Sequence, residues 1–267
     1  MMKRLLILFI FPCLMFSCIE VDTDIILPRV SVFSLISPSD SVITVFVGRV
    51  YERGEPISLD SGKYLSDARV SIRSSAGAKE LVFNNKTKFY EGVNNSFIQP
   101  DESYTLNVEV EGLSIQGATR VPAQYALTVD TLNREVNVSW KKGAAFGNYE
   151  LTGAAVFEGY FQGRFSWGAK GGIWDTADDQ HAGETVTAPA GIITFPETIR
   201  KVLLNIRLRA YDSRTYDFIK KEEILENRTE LFKRLEAPVF LNSNLGENAV
   251  GLFGSYTESK AEISMEK

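Results

Sequence analysis

One histidine and two cysteines among 267 residues leave little material for the commonest reactive chemistries. Nucleophile–base systems and most zinc sites are built from His and Cys. His181 stands in Asp175-Thr-Ala-Asp178-Asp179-Gln-His181-Ala-Gly-Glu184, a polar run too poor in nitrogen and sulfur ligands to hold a transition metal. Its carboxylates, Asp175, Asp178, Asp179 and Glu184, are weak calcium candidates. That ion takes six to eight oxygens, and these four do not follow the spacing of a helix–loop–helix calcium loop. Two acids across a sugar can hydrolyse a glycoside, but 34 Asp and Glu residues make some close pair inevitable. Gly168-Ala-Lys-Gly171-Gly172 lacks the following Ser/Thr and the strand-to-helix setting of a phosphate loop. No catalytic residue, resident metal or cofactor is therefore expected. More informative is the stretch 157–174, where Phe157, Tyr160, Phe161, Phe165, Trp167 and Trp174 are spread among Gly159, Gly163, Gly168, Gly171 and Gly172. Flat aromatic faces bury much area at small entropic cost, so Tyr160, Phe165, Trp167 and Trp174 are candidate contacts for a sugar, a peptide or a partner surface. The alternative is that Phe157, Phe161 and one tryptophan are core residues of a bulged hairpin.

The two cysteines, Cys13 and Cys18, both belong to the extreme N-terminus. Lys3 and Arg4 precede the uncharged apolar run Leu5–Phe16, the charged and hydrophobic regions of an export signal. As a helix, that run rises only about 18 Å against a hydrocarbon core of about 30 Å, so it reads as a removable leader and not as a span. Met15-Phe16-Ser17-Cys18 resembles the lipobox of bacterial lipoproteins, which implies cleavage before Cys18 and lipidation of its thiol. Ser17 suits the small position, whereas Pro12 disfavours Cys13. Stable anchoring needs more than one membrane signal, and multiple acylation of Cys18 would supply it. An exported chain left with Cys18 alone has no internal disulfide and must depend on its apolar core. Residues 19–24, Ile-Glu-Val-Asp-Thr-Asp, follow as a short acidic tether, either a solvated spacer or a segment that resembles the surface-export signals of lipoproteins, which leaves the periplasmic and cell-surface sides both open.

The elements that must position any site are strands. Val30-Val32-Phe33, Ser41–Val47, Ala68-Val70-Ile72 and Tyr104-Leu106-Val108-Val110 alternate or run β-branched and aromatic. Turn clusters at Pro38-Ser39-Asp40, Arg53–Pro56, Ser74–Gly77, Asn84-Asn85 and Asn94-Asn95 separate them. Glu111-Gly112 marks the clearest hairpin. Val121-Pro122 closes a first unit, because proline cannot donate to a central ladder. Leu127-Thr-Val129, Glu135-Val-Asn-Val138-Ser-Trp140 and Tyr149-Glu-Leu151 open a second one with Trp140 and Tyr149 pointing inward, a spacing similar to the early strands of fibronectin-type-III sandwiches. Arg200–Ala210 predicts a further strand. Asp212-Ser213 caps a helical passage over 213–235, with Phe218, Leu225 and Phe232 on its stripe, and the tail returns to strand-like segments around 250–254 and 261–263. The expected fold is all-β: two antiparallel β-sandwich domains of Ig/fibronectin-III type with one helical excursion near the C-terminus. The expected organisation is 1–17 leader, 18–28 lipidated tether, 29–122 first sandwich and 123–267 second sandwich.

The order of Cys18, the strand Val42–Val50, Asp67-Ala68-x-Val70-x-Ile72, Ser103-Tyr104-x-Leu106-x-Val108, Val121-Pro122, the Trp/Tyr-bearing second unit and Pro238-Val239…Ser243-Asn244-Leu245…Gly251-x-Phe253-Gly254 resembles a domain-of-unknown-function family of Bacteroidota outer-membrane lipoproteins. The resemblance implies a lipid-anchored envelope protein and, because such proteins are often encoded beside TonB-dependent receptors, a binding or accessory role in uptake. Partners implied are the membrane, through Cys18, and a TonB-dependent outer-membrane receptor; the ligand is left open. A net charge of −5 excludes an electrostatic nucleic-acid binder. The rival expectations are an adhesin or fimbrial-type subunit, with a missing or donated strand at 29–36 or 256–264, and a carboxylate-based glycan hydrolase.

Overall fold

A computed structural model describes residues 30–50, 64–132, 135–141, 148–159, 163–175, 185–192, 199–226 and 243–266. The alternating segments of the first half become β1 (Val30–Ile36), β2 (Val42–Arg49), β3 (Arg69–Ser74), β4 (Gly77–Asn84), β5 (Phe89–Val93), β6 (Ser103–Val110) and β7 (Leu113–Arg120). In β6 the alternation is literal: Tyr104, Leu106, Val108 and Val110 are buried while Ser103 and Glu109 face water. Val110 pairs with Leu113 across a two-residue turn in which Glu111 and Gly112 have φ of 51° and 79°. Both positive values match the turn whose twist fits a hairpin.

The second half supplies β8 (Thr128–Leu132), β9 (Glu135–Lys141), β10 (Asn148–Gly159), β11 (Gly163–Asp175), β12 (Thr185–Ile192), β13 (Ile199–Tyr211), helix α1 (Ser213–Glu226) and β14 (Ala249–Glu266). Asp212 caps α1, its Oδ1 accepting the N–H groups of Arg214 and Thr215 at 3.0 and 3.1 Å. The helical passage expected over 213–235 is a helix through Glu226; residues 227–235 lie outside the described residues.

Among the described residues, eleven strands form one sheet in the order β11-β10-β13-β14-β1-β2-β5-β4-β3-β6-β7, and three form another, β12-β9-β8. Among the described strands the pairings are antiparallel except β1 with β14, which is parallel from Val30 opposite Ala249 to Ile36 opposite Ser255. The long sheet curls until β7 meets β14 again. There Thr119 Oγ1 lies 2.8 Å from Ser255 Oγ, and Asn244 Nδ2 donates to Ala118 O at 3.1 Å and to Phe253 O at 2.7 Å. Inside this curl Val32, Val45, Ile72, Leu106, Ile115 and Phe253 pack as one core. Each such side chain contributes about 1.5–3 kcal/mol on burial.

A second core fills the space between β11-β10-β13-β14 and β12-β9-β8. Trp140, Tyr149, Leu151, Leu204 and Ile206 form it, with Ala261, Ile263 and Met265 packed against them. Trp140 and Tyr149 are both inward, as their spacing predicts, with ring centroids 5.5 Å apart at 62°. Three strands on four give the fibronectin-III-like sandwich, and the molecule as a whole is all-β with a helix near the C-terminus. The tail differs from its reading as separate strand segments. It is one 18-residue strand, β14, whose start pairs with β1 and borders the first core, while its end pairs with β13 and borders the second.

Candidate functional site

The aromatic candidates on β11 are fixed by register. Phe165 stands opposite Ala155, Trp167 opposite Gly153 and Trp174 opposite Tyr149. On the far side of β10 those partners face Leu204, Ile206 and Ala210, which are buried in the second core. Register breaks between Glu150 and Thr152: their β11 partners are Ile173 and Gly168, so residues 169–172 form a bulge opposite Leu151. Glycine-rich 168–172 is thus the bulged part of the hairpin, with Trp167 and Trp174 on either side of it along the strand. Asp175 ends β11 opposite Asn148. Cys18, Tyr160, Phe161, Asp178, Asp179, His181 and Glu184 lie outside the described residues. Among the described residues no three His, Cys, Asp or Glu side chains are grouped to hold a metal ion, and no helix is long and apolar enough to cross a membrane.

The structure also assembles a polar cluster that the sequence does not announce, where β14 passes from one core to the other. Register sets Glu150, Arg209 and Glu258 in one row across β10, β13 and β14, with Tyr211 beside Tyr256 two rows on and so on the same face. Arg209 Nε donates to Glu258 at 2.9 Å, and Lys260 Nζ meets the other oxygen of that carboxylate at 2.9 Å. Tyr211 O–H donates to Glu150, and the Arg209 guanidinium lies 5.5 Å from the Tyr256 ring centre. Tyr256 O–H reaches Asp40, from the β1–β2 turn, at 3.2 and 3.3 Å to its two oxygens.

Burial and charge act against each other here. Burial pushes the Asp40 carboxyl up, only partly offset by the Tyr256 hydroxyl. It raises the Glu258 carboxyl too, but Lys260 and Arg209 outweigh it and hold that group below its ordinary value. Tyr211 is raised by burial and by the neighbouring Glu150, and Tyr256 by burial and Asp40. Arg209 loses by burial but gains more from Glu258 and Tyr211, and stays charged. These groups pair with one another, so the cluster's chemistry is cohesion between strands and the β1–β2 turn. The alternation of Arg207 and Arg209 with Leu204, Ile206 and Leu208 signals the polar face of β13; nothing in the sequence signals which strands flank it.

Residues 18–262 match the family described as Domain of unknown function (DUF4249). The chain belongs to this family. The match opens on Cys18 and leaves 1–17 outside it. No curated protein matches the chain. Among solved structures, a cytokine receptor complex is similar at 13% identity over 87% of this chain and 95% of that one, with a TM-score of 0.26. The chicken interferon gamma receptor alpha chain is similar at 8% identity over 68% and 90%, with a TM-score of 0.20. A DUF3823 family protein from Bacteroides ovatus is similar at 11% identity over 68% and 91%, with a TM-score of 0.17.

Proposed function

We infer that this family member is a non-catalytic binding or accessory component of an outer-membrane uptake system of the TonB-dependent receptor type, anchored by lipid at Cys18. The observation that carries this reading over a strand-exchanging structural subunit is the seating of the two strands such a subunit would lack or donate. Val30–Ile36 pairs with β14 along its length and, over residues 30–33, with β2 as well; in Ala249–Glu266 residues 249–255 pair with β1 and 256–266 with β13, all from the same chain. Each of the two segments is thus already seated against a strand of its own fold, which is not the state of a strand left unpaired for exchange.

The anchor is supported by the leader Lys3–Phe16 and by a family match that begins at Cys18. Residues 19–29 then span at most roughly 35–40 Å when extended, which keeps β1 close to the bilayer. The outer membrane and the receptor come from the resemblance to Bacteroidota lipoproteins. Mild crosslinking of intact envelopes followed by affinity capture of the chain tests the reading. Recovery of a β-barrel receptor is the expected result. Ladders of the chain itself would favour the structural subunit, and turnover on a glycan panel would favour a hydrolase.

A further inference from the structure

On the outer face of β2, β4 and β5 large apolar side chains meet water. Val82 is 73% exposed, Val93 58% and Val42 41%, while Ile43, Val45 and Tyr90 on the opposite face are buried. Val42 pairs directly with Val93 across β2 and β5. Phe46 and Phe89 extend the surface, edge to face with ring centroids 5.8 Å apart. Scattered single apolar residues need no explanation, but a contiguous group on one sheet face marks contact with something else.

The centre of this face is charged. Glu91 stands opposite Thr44 on one side and Val82 on the other. Its carboxylate accepts Thr87 Oγ1 at 2.6 Å and Asn84 Nδ2 at 2.7 Å, and these bonds favour its ionised form. This anion, with Val82 and Val93 beside it and Thr44, Asn84 and Thr87 as its polar neighbours, selects among occupants. Burying it against lipid tails leaves a charge without a counter-charge. A two-fold pairing of this face centred on Glu91 sets like charges against each other.

We propose that this face docks a partner protein whose contacting surface arranges apolar residues around a lysine or arginine that meets Glu91. The inference rests on the accessory reading above and names the surface that reading requires. Valines 42, 82 and 93 provide the apolar collar, and Glu91 provides the specificity, since the wrong charge at its partner position is penalised more than a wrong apolar shape.

The test uses the full chain in its native cells, with the photo-crosslinker p-benzoylphenylalanine in place of Val93 and, as control, in place of the exposed Glu262 on β14. Expected is one dominant adduct from position 93, mapped by mass spectrometry to an envelope protein at a peptide holding apolar residues and a lysine or arginine. Glu91→Lys then lowers the yield at least tenfold, Glu91→Gln lowers it less, and a glutamate in place of the mapped partner cation restores it with Glu91→Lys. Adducts to lipid or to a second copy of this chain, no excess over position 262, or a yield indifferent to both Glu91 variants would overturn the proposal. Lipid on Cys18 is measured in the same sample. A lipidated chain without the adduct overturns the docking surface alone, whereas the expected adduct on a chain with a bare Cys18 supports the surface and overturns the anchor.

Discussion

Asp212 does more for this fold than its position after a strand suggests. One oxygen caps α1; the other accepts the Ser255 N–H at 2.7 Å, Thr119 Oγ1 at 3.2 Å and the Thr215 hydroxyl. Strand β7, strand β14 and the helix are thus tied to a single carboxylate. Asp212→Ala leaves several of these donors without an acceptor and should cost about 2 kcal/mol or more in urea unfolding, with Asp212→Asn milder. Glu258 predicts a pH dependence. Its folded value lies below the ordinary 4.5, so its stabilisation is complete above that pH and is lost as pH falls through the lower folded value. Glu258→Gln should therefore cost about 1.5–3 kcal/mol at pH 7, and the difference from the parent should shrink on acidification below 4.5. Asp40 has the opposite sign. Its raised folded value makes the native state hold the proton more tightly, so stability falls as pH rises from the ordinary 3.8 through the folded value. Asp40→Asn keeps an acceptor for Tyr256 and should be neutral or stabilising at pH 7, with no advantage below 3.8. The cap at Asp212 is legible in Asp212-Ser213; the Arg209–Glu258 pair is not, because alternation assigns a face and never a partner.

The elements themselves were largely written in periodicity. Strands β1, β2, β3, β6, β7 and β13 fall where β-branched and aromatic residues alternate, since a half-buried sheet exposes every second side chain. What periodicity does not hold is pairing. The segments around 250–254 and 261–263 look separate because Ser255, Thr257 and Ser259 interrupt the apolar pattern. They interrupt it because the strand crosses from one core to the other there; all three side chains are buried, and Ser255 Oγ donates to Arg120 O at 3.0 Å and Thr257 Oγ1 to Ala123 O at 2.9 Å. Gly251 makes the parallel β1–β14 contact possible. Its φ is 133°, and a Cβ there would sit 1.9 Å from Val32 O, backbone that cannot swing aside. Gly251→Ala should destabilise by about 3 kcal/mol or more and should raise amide exchange along Val30–Ile36 before it does so in β13.

At the scale of the whole molecule, β14 joins the two cores, and the residues just before it return to the first. Leu245 packs where Gly117 leaves no room for a side chain, its Cδ2 lying 2.7 Å from the position a Cβ would take, and Asn244 bonds to both β7 and β14. Ser243-Asn244-Leu245 was readable as part of a family pattern, yet its role as the clasp of a unit built some 120 residues earlier depends on three-dimensional closure that no local pattern encodes. The aromatic stretch on β11 shows the converse: its composition invites a binding role, while its register rows run through Leu204, Ile206 and Ala210 of the second core. The proposed accessory role requires the protein to be held where its partner is, which makes the anchor the central claim. Intact-mass analysis of the polypeptide extracted from native membranes tests it most directly. The account predicts a chain that begins at Cys18 and carries several acyl groups on that residue; a bare Cys18 thiol, or residues 1–17 still attached, would contradict it.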